Sequence, residues 1–164
     1  MKIHCLYDCL VPVADLTPHP RNANQHPDEQ IRRLADILDY QGWRYPIKVS
    51  KRSGFITSGH GRLMAAKLLG LKEVPVNYQD YESDDQEGAD LHADNAIASW
   101  AEIDLSFINQ DMENFGPEFD IHMLGIKNFA LDVSDFEEPK PKEDPGQKAV
   151  DLKTCPNCGV TISG

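Results

Sequence analysis

The connection that follows residues 55–57 constrains the fold more than any other part of the chain. Residues 55–57 read Phe-Ile-Thr, which favours a strand, and a helix is predicted from the bend onward to about Leu69, before Gly70. The bend between them consists of Ser58, Gly59, His60, Gly61 and Arg62. Two glycines in so short a connection let the backbone turn tightly and come close to a ligand. We therefore expect a strand, a glycine-rich bend and a helix in immediate succession.

This bend is a candidate anion-binding site. The first N–H groups of a helix have no acceptor within the helix, and they lie at the positive end of its dipole. Arg62 falls in the first turn, where its guanidinium can bind a phosphate through two N–H groups. The same pattern is also typical of a tight strand–helix connection that binds nothing, so both interpretations stay open.

A loop, a helix and a hairpin are predicted before the bend. Residues 17–27 are rich in proline and asparagine, which excludes regular structure and predicts an ordered loop. Pro27 begins a helix that runs to about Tyr40 and is ended by Gly42, because its apolar residues recur at helical spacing. Residues 46–50 and 55–57 flank a basic turn and are expected to pair as a hairpin.

After the bend, one strand and further helices are predicted. Met64, Leu68 and Leu71 form the expected inner edge of the helix that follows the bend. Pro75 places residues 74–76 at a sheet edge or at the start of a strand. A capping-box pattern at residues 83–86 begins a helix that continues to about residue 100. Its expected core-facing stripe contains Ala89, Ala93, Ala96, Ile97 and Trp100.

The C-terminal part differs in composition. Residues 104–115 and 118–129 are expected to add a helix and a short helical or apolar segment. Residues 131–148 contain three prolines and alternating charges and cannot bury a core, so they predict a linker or disordered tail. The predicted division is a domain at 1–100, a helical extension at 101–130, a linker at 131–150 and a tail at 151–164.

Charge is distributed unevenly along the 164 residues. The net charge is −11, yet residues 1–80 are net positive, whereas residues 81–120 hold 12 acidic side chains and no lysine or arginine. The chain as a whole would be repelled by DNA phosphates, so an anion site must lie in the first half. The acidic segment is either a solvated face or a surface that docks a basic protein or mimics the charge of DNA.

Membrane and secreted classes are not expected. No apolar run approaches the about 20 residues of a membrane helix, and the first residues lack an apolar leader. Four cysteines are too few for a disulfide scaffold of this length, which indicates a reducing, cytoplasmic setting.

The chain resembles the N-terminal domain of ParB, in the ParB/sulfiredoxin superfamily that includes ParB-like nuclease domains. The likeness covers roughly residues 8–100, and four segments carry it: 16–21, 34–42, 46–49 and 59–70. Within that family it is similar to phage and prophage proteins that accompany DNA methyltransferases. The resemblance implies an α+β fold, with a small mixed sheet and packed helices, followed here by the helical extension, the acidic linker and a CxxC tail.

The resemblance also implies a nucleotide site. In the family, the box that corresponds to Gly59, His60, Gly61 and Arg62 binds nucleotide phosphates. An acid–Asn pair on a later helix, here Asp94 and Asn95, helps to place Mg²⁺ and a triphosphate such as CTP or ATP. The proline-rich loop lies against the same bend, so Arg21, Asn24 and His19 are expected near the ligand.

Two classes of function follow from this resemblance. In the enzymatic class the protein is a Mg²⁺-dependent nuclease or NTP hydrolase of phage DNA metabolism, with His60 and Asp94 as catalytic candidates. In the other class it is a non-catalytic acidic module that docks a DNA-modifying protein such as a methyltransferase. A homodimer is compatible with either class. His60 could instead cap or pack its helix, and Asp94 and Asn95 could face solvent.

The tail contains a Cys-x-x-Cys pair. Cys155 and Cys158 can reach one Zn²⁺, and a tetrahedral site needs two more ligands. Cys5 and Cys9 would stand about 13 Å apart on a strand, which is too far to share one ion. The remaining ligands would come from a histidine such as His4, a second chain or a partner; otherwise the pair is a reduced, metal-free one.

Overall fold

The computed structural model describes residues 1–127, 152–154 and 161–163, and at residues 94, 95, 152–154 and 161–163 it describes the backbone alone. The chain divides into two compact units, Met1–Phe129 and Ala130–Gly164. In the second unit, Leu152–Thr154 pairs antiparallel with Thr161–Ser163. The predicted linker and both tail cysteines lie outside the described residues, so the four-part division and the zinc site stay predictions.

A five-stranded mixed sheet organises the first unit. Its strands are β1 (Cys9–Pro12), β2 (Thr17–Pro18), β3 (Ile47–Ser50), β4 (Phe55–Ser58) and β5 (Glu73–Gln79). They lie in the order β1-β5-β3-β4-β2, in which β5 pairs antiparallel with β1 and parallel with β3. The predicted hairpin of β3 and β4 is confirmed. The loop predicted over 17–27 differs at its start, because Thr17 and Pro18 pair with β4.

Four α-helices accompany the sheet in the described part of the first unit. They are α1 (Asp28–Gln41), α2 (His60–Leu68), α3 (Asp84–Ala98) and α4 (Leu105–Met112). Short 3₁₀ helices lie at Val13–Asp15 and Ile121–Leu124. Helices α1 and α2 pack together, and the core between them and the sheet includes Trp43, Ile47 and Leu63. The α+β fold of a mixed sheet with packed helices and a helical extension is confirmed.

The buried face of α2 differs from the expected one. Met64 and Leu68 are exposed, whereas Leu63, Ala65 and Ala66 are buried. Leu63, Ala65 and Ala66 belong to the core that α2 shares with α1 and the sheet. The sequence prediction relied on large apolar residues, so it did not identify this buried face, two of whose members are alanines.

Strand β5 takes one of the two places that Pro75 allowed, the strand start, and not the sheet edge. This strand lies between β1 and β3, inside the sheet. Pro75 stands near the start of β5, and pairing with β3 begins one residue later, at Val76. The proline therefore comes before the ladder with β3, which is the second of the two places that the sequence allowed.

Helix α3 turns its polar side inward. Leu91 and Glu87 are buried, whereas Ile97 and Trp100, members of the predicted stripe, are 60% and 79% exposed. The sheet presents hydroxyl and lysine side chains to this helix, so acidic residues make the contact. The predicted capping box is present in part, since the Gln86 N–H donates to Ser83 Oγ (3.1 Å).

Candidate functional site

The bend between β4 and α2 depends on a left-handed glycine. Gly59 has φ of 101° and ψ of 20°, a conformation that other residues rarely adopt. A Cβ at this position would lie 3.1 Å from Arg62 Nη2 and 3.3 Å from Ile47 Cα. The Leu63 N–H donates to Gly59 O (2.9 Å), which begins the hydrogen-bond ladder of α2. The predicted order of strand, bend and helix is therefore confirmed.

Arg62 folds back over the bend. Its Nη2 donates to Pro46 O (3.2 Å), at the start of the strand β3 that neighbours β4. The side chain is half-buried and lies beside Gly59. Burial raises the pKa of the Cys5 thiol, and the positive charge of Arg62 partly opposes this rise. Arg62 thus forms one wall of the bend, with its guanidinium at the glycine.

The proline-rich loop covers the other side of the bend, as the resemblance implied. His60 is 9% exposed, and its Nε2 accepts a hydrogen bond from the His19 backbone N–H (3.2 Å). A Cβ on Gly61 would lie 3.4 Å from the ring of His26. Ser58, Gly59 and Arg62 stay half-exposed, so the open part of the bend lies away from the loop.

His60 is neutral in the folded protein. Burial, together with the nearby His26 and His19, lowers its pKa from 6.5 to about 4. Because Nε2 accepts a hydrogen bond, the ring proton is on Nδ1. This imidazole cannot donate a proton as an imidazolium near neutral pH. The structure therefore favours the interpretation in which His60 packs its helix, and its catalytic role stays a prediction.

We expect the protein to lose stability on mild acidification because of His60. Between pH 6.5 and about 4 the unfolded chain binds a proton at His60 and the folded protein does not. The free energy of unfolding should fall by about 2 kcal/mol between pH 7 and pH 5. Urea unfolding at both pH values measures this, with His60→Gln as the comparison, because glutamine can still accept from His19 and does not titrate. Equal losses in the two proteins would contradict the assignment.

The other loop residues contact different parts of the chain. A Cβ on Gly88 of α3 would lie 3.7 Å from the Arg21 guanidinium. The Asn24 backbone N–H donates to Asn22 Oδ1 (3.2 Å) within the loop. The described contacts therefore direct Arg21 toward α3 and Asn24 back into its own loop, and their roles as ligands stay predictions.

A second set of polar residues, not singled out as a group by the sequence, stands beside the bend. Lys48 Nζ lies 3.2 Å from Asp90 Oδ2 and 3.3 Å from Asp90 Oδ1. Tyr81 OH donates to Asp90 Oδ2 (2.7 Å) and lies 3.1 Å from Thr57 Oγ1. We call Lys48, Thr57, Tyr81 and Asp90 the Lys48 cluster. Burial, with the hydrogen bond to Asp90, raises the pKa of Tyr81 to about 12, so the phenol stays protonated.

A β-bulge brings this cluster together. Lys48 pairs with Ser58 and Val49 with Ile56, so Thr57 is an extra residue in β4. A bulge bends its strand and redirects side chains. Lys48 and Ser58 are direct cross-strand partners, whose Cβ atoms lie about 5 Å apart in such pairs. The long side chain of Lys48 therefore starts close to Ser58, at the beginning of the bend.

Glu87 is buried and belongs to the interior. It is 3% exposed, and it accepts hydrogen bonds from Ser50 Oγ (2.7 Å) and Ser53 Oγ (2.5 Å). Burial acts to raise its pKa, but the two serines and nearby His19 outweigh this effect, and the pKa is lowered. Glu87 lies in the acidic segment 81–120 that was expected to form a solvated or docking face, and for this residue that expectation is wrong. The exposed acids Glu82 and Asp85 remain available for that role.

A cavity of about 210 Å³ lies on the outer side of the His19–Glu87 pair. Its lining includes His19, Arg21, Ser53, Phe55, Asp84 and Glu87. Arg52 Nε donates to Asp84 Oδ1 (2.5 Å) near the start of α3. The loop, the β3–β4 turn and α3 thus meet at one place.

No metal centre is evident in the described part of the chain. Within it, no group of three or more His, Cys, Asp or Glu residues could hold an ion. Residues 94 and 95 lie on α3, one turn beyond Asp90, but only their backbone is described. Among the described residues, no helix has the length and apolar character needed to cross a membrane.

Comparison with curated proteins identifies one relative. The ParB-like nuclease domain-containing protein YnaK of Escherichia coli (strain K12) is 38% identical over 65 residues, which cover 40% of this chain and 74% of the relative. No protein-family model matches the chain.

Solved structures show the same fold. C-terminally truncated ParB from Caulobacter crescentus, complexed with CTP-gamma-S, superposes with a TM-score of 0.54 at 21% identity. The match covers 64% of this chain and 60% of that chain. Sulfiredoxin from Arabidopsis thaliana is a weaker likeness, with a TM-score of 0.38 at 20% identity over 45% of this chain and 88% of that chain. From its likeness to the curated relative, this chain belongs to the proteins with a ParB-like nuclease domain, and its mixed sheet and packed helices have the fold of ParB.

Proposed function

We propose that this protein binds the phosphate groups of a nucleotide at the open side of the α2 bend. The observation that carries the proposal is the left-handed Gly59 at a helix N-terminus, with the Arg62 guanidinium beside it and with Lys48 as the cross-strand partner of the preceding residue, Ser58. Ser58 and Gly59 supply the close backbone approach, and the helix supplies its positive end. Arg62 and Lys48 supply charge-assisted hydrogen bonds to phosphate oxygens.

The identity of the ligand is proposed from the relatives. The Caulobacter ParB structure contains a CTP analogue, and the sequence resemblance implies CTP or ATP at the same box. A nucleoside triphosphate carries enough negative charge to engage Arg62 and Lys48 together. We therefore propose a triphosphate rather than a single phosphate as the ligand of this bend.

Magnesium fits this proposal through α3. Mg²⁺ is commonly bound by one or two carboxylates together with substrate phosphates. Asp90 and Asp94 occupy positions four residues apart on α3, and the resemblance implies Asn95 as a further oxygen ligand. When bound, Mg²⁺ would neutralise phosphate charge. In the absence of ligand, Lys48 and Tyr81 hold the Asp90 carboxylate in place by hydrogen bonds.

Binding is better supported than hydrolysis by the residues near the bend. His60 is neutral and accepts a hydrogen bond from the loop, so it cannot act as a general acid near neutral pH. Hydrolysis of a nucleotide or a phosphodiester, with Asp94 and His60 as catalytic residues, is the enzymatic form of the proposal. The name of the curated relative supports the nuclease form.

A second candidate function is that of an interaction module. Ile97 and Trp100 are exposed on or just after the acidic helix α3, and Glu82 and Asp85 stand exposed near its start. An acidic surface with exposed apolar residues suits a basic protein partner. From the resemblance we propose a cytoplasmic role in phage or prophage DNA modification, with a DNA methyltransferase as partner and with Zn²⁺ at Cys155 and Cys158.

Calorimetric titration tests the proposed function. CTP, ATP and GTP are added to the full chain with and without Mg²⁺, and at least one should bind saturably. Arg62→Lys keeps the charge and removes the planar fork, so affinity should fall several-fold, by about 1 kcal/mol. Arg44→Lys, the same change at an exposed position, should bind like the wild type. If no nucleotide gives heat, the proposal is wrong and the interaction module becomes the better function.

A further inference from the structure

We propose that Glu87 is a positioning residue that acts through His19 to hold the first turn of α2 in its ligand-binding geometry. This inference rests on the proposed function, because that geometry is the one that would bind a nucleotide. Three buried side chains, Glu87, His19 and His60, link α3 to α2 through the proline-rich loop. We call them the Glu87–His19–His60 link.

The first contact of the link joins α3 to the loop. Glu87 Oε1 lies 3.4 Å from His19 Nε2, and both side chains are 3% exposed. The His19 ring also contacts Phe55 edge to face, with centroids 5.4 Å apart. Glu87 itself is fixed on β3 and the following turn by Ser50 and Ser53. The carboxylate is therefore immobilised where it faces the imidazole.

The second contact fixes the tautomer of His19. Its Nδ1 accepts a hydrogen bond from the Arg21 backbone N–H (3.0 Å), so the proton of the neutral ring is on Nε2, toward Glu87. A negative charge at Glu87 stabilises this arrangement. The imidazole thereby orients the backbone of the loop at residues 19–21.

The third contact carries the link to the bend. The His19 backbone N–H donates to His60 Nε2, and His60 is the first residue of α2. When His19 holds its place, His60 stays neutral and buried. Gly59 precedes His60 and Arg62 lies two residues after it, so both keep their positions in the same turn. Loss of the contact would uncover His60 and free the bend to change conformation.

An amide cannot replace the carboxylate of Glu87. Ser50 Oγ accepts from the backbone N–H groups of Arg52 (3.1 Å) and Ser53 (3.2 Å), so both of its lone pairs are used. A glutamine NH₂ in the place of Oε2 would therefore face the Ser50 hydroxyl, whose oxygen has no free lone pair to accept its hydrogen bond. At Oε1 the NH₂ would face the N–H of His19. Glu87→Gln therefore loses either the hydrogen bond with Ser50 that immobilises the side chain or the contact with His19, while it almost keeps the shape.

The experiment compares matched variants of the full chain. Asparagine at position 19 can replace His19 Nδ1 as the acceptor of the Arg21 N–H, but it is too short to reach Glu87. Glutamine is long enough to donate an amide N–H to Glu87, as His19 Nε2 does. His19→Asn therefore breaks the link and His19→Gln restores its first contact. Asp85→Asn makes the acid-to-amide change at an exposed position of α3 and serves as the control. Two quantities are measured: the affinity for CTP with Mg²⁺ by calorimetry, and the titration of the His60 ring by ¹⁵N NMR.

In Glu87→Gln and His19→Asn, we expect CTP affinity to fall about tenfold or more. In the same two variants the pKa of His60 should rise from about 4 toward its ordinary value of 6.5, as burial is lost. His19→Gln should bind CTP more tightly than His19→Asn and keep the pKa of His60 lower, because it restores the contact with Glu87. Asp85→Asn should stay close to the wild type in both measurements.

A folded Glu87→Gln or His19→Asn protein with unchanged His60 titration and unchanged affinity would overturn the inference. If Glu87→Gln does not fold, the two His19 variants decide, and equal behaviour of asparagine and glutamine there counts against the link. If the wild type binds no nucleotide, the proposed function is wrong, and the His60 titration alone decides whether the link exists.

Discussion

Gly59→Ala is expected to destabilise the protein by about 2–4 kcal/mol and to abolish nucleotide binding. A residue with a side chain is strained at φ of 101°, and its Cβ would meet the Arg62 guanidinium at 3.1 Å and the β3 backbone at Ile47 Cα at 3.3 Å. The backbone of β3 cannot yield as easily as a flexible side chain. Relief of the crowding would move Arg62 and open the bend, which is the proposed phosphate site.

Gly70→Ala is the matched control for this prediction. Gly70 also has a positive φ, 65°, but a Cβ there would meet nothing within 4 Å. Its replacement should cost about 1 kcal/mol from backbone strain alone and leave binding unchanged. Urea unfolding and calorimetry with CTP measure both variants. Similar losses of stability in the two proteins would show that crowding at the bend contributes nothing.

Lys48→Met should weaken CTP binding by about 10- to 100-fold, because a charge-assisted hydrogen bond to phosphate contributes about 1.5–3 kcal/mol. Lys48 is the cross-strand partner of Ser58, one residue before Gly59, and methionine keeps most of its apolar stem. Lys51→Met is the control. Lys51 lies in the turn of the same hairpin and forms an exposed ion pair with Asp80, so its replacement should leave CTP binding unchanged. Calorimetry compares the three proteins.

Asp90→Asn should act in the opposite direction and strengthen CTP binding several-fold when Mg²⁺ is absent. In the free protein the carboxylate of Asp90 holds Lys48 Nζ, so a phosphate has to compete for this lysine. Asparagine removes that charge and can still accept from Tyr81 OH. If Lys48→Met binds CTP like the wild type, or Asp90→Asn binds it more weakly without Mg²⁺, Lys48 is not a ligand of the phosphate.

Local patterns succeeded where neighbouring residues alone decide the structure. The hairpin of residues 47–58, the bend at Gly59 and the helix that Gly42 ends all agree with the sequence. Strand-forming residues, glycines and helical spacing act through the backbone over a few residues, so they can be read from the chain itself.

Burial patterns failed where contact between distant segments decided the orientation. Helix α2 buries two alanines in the core, and α3 buries Glu87 because the hydroxyl groups of Ser50 and Ser53 donate hydrogen bonds to its carboxylate. In each case the larger apolar residues, such as Met64 and Trp100, were assigned to the core and are exposed. Hydrophobic spacing cannot anticipate a buried acid that is fully hydrogen-bonded.

The sequence by itself determined the strand, bend and helix around Gly59, and through them the family, because these features depend on local backbone chemistry. Only the tertiary structure decided which polar groups stand around the bend. It brought the Asp90 carboxylate to Lys48, the cross-strand partner of Ser58, and it joined Glu87, His19 and His60 on the side that the loop covers. Those residues lie tens of positions apart, and a bulge, a parallel strand pair and the packing of α3 set the distances between them.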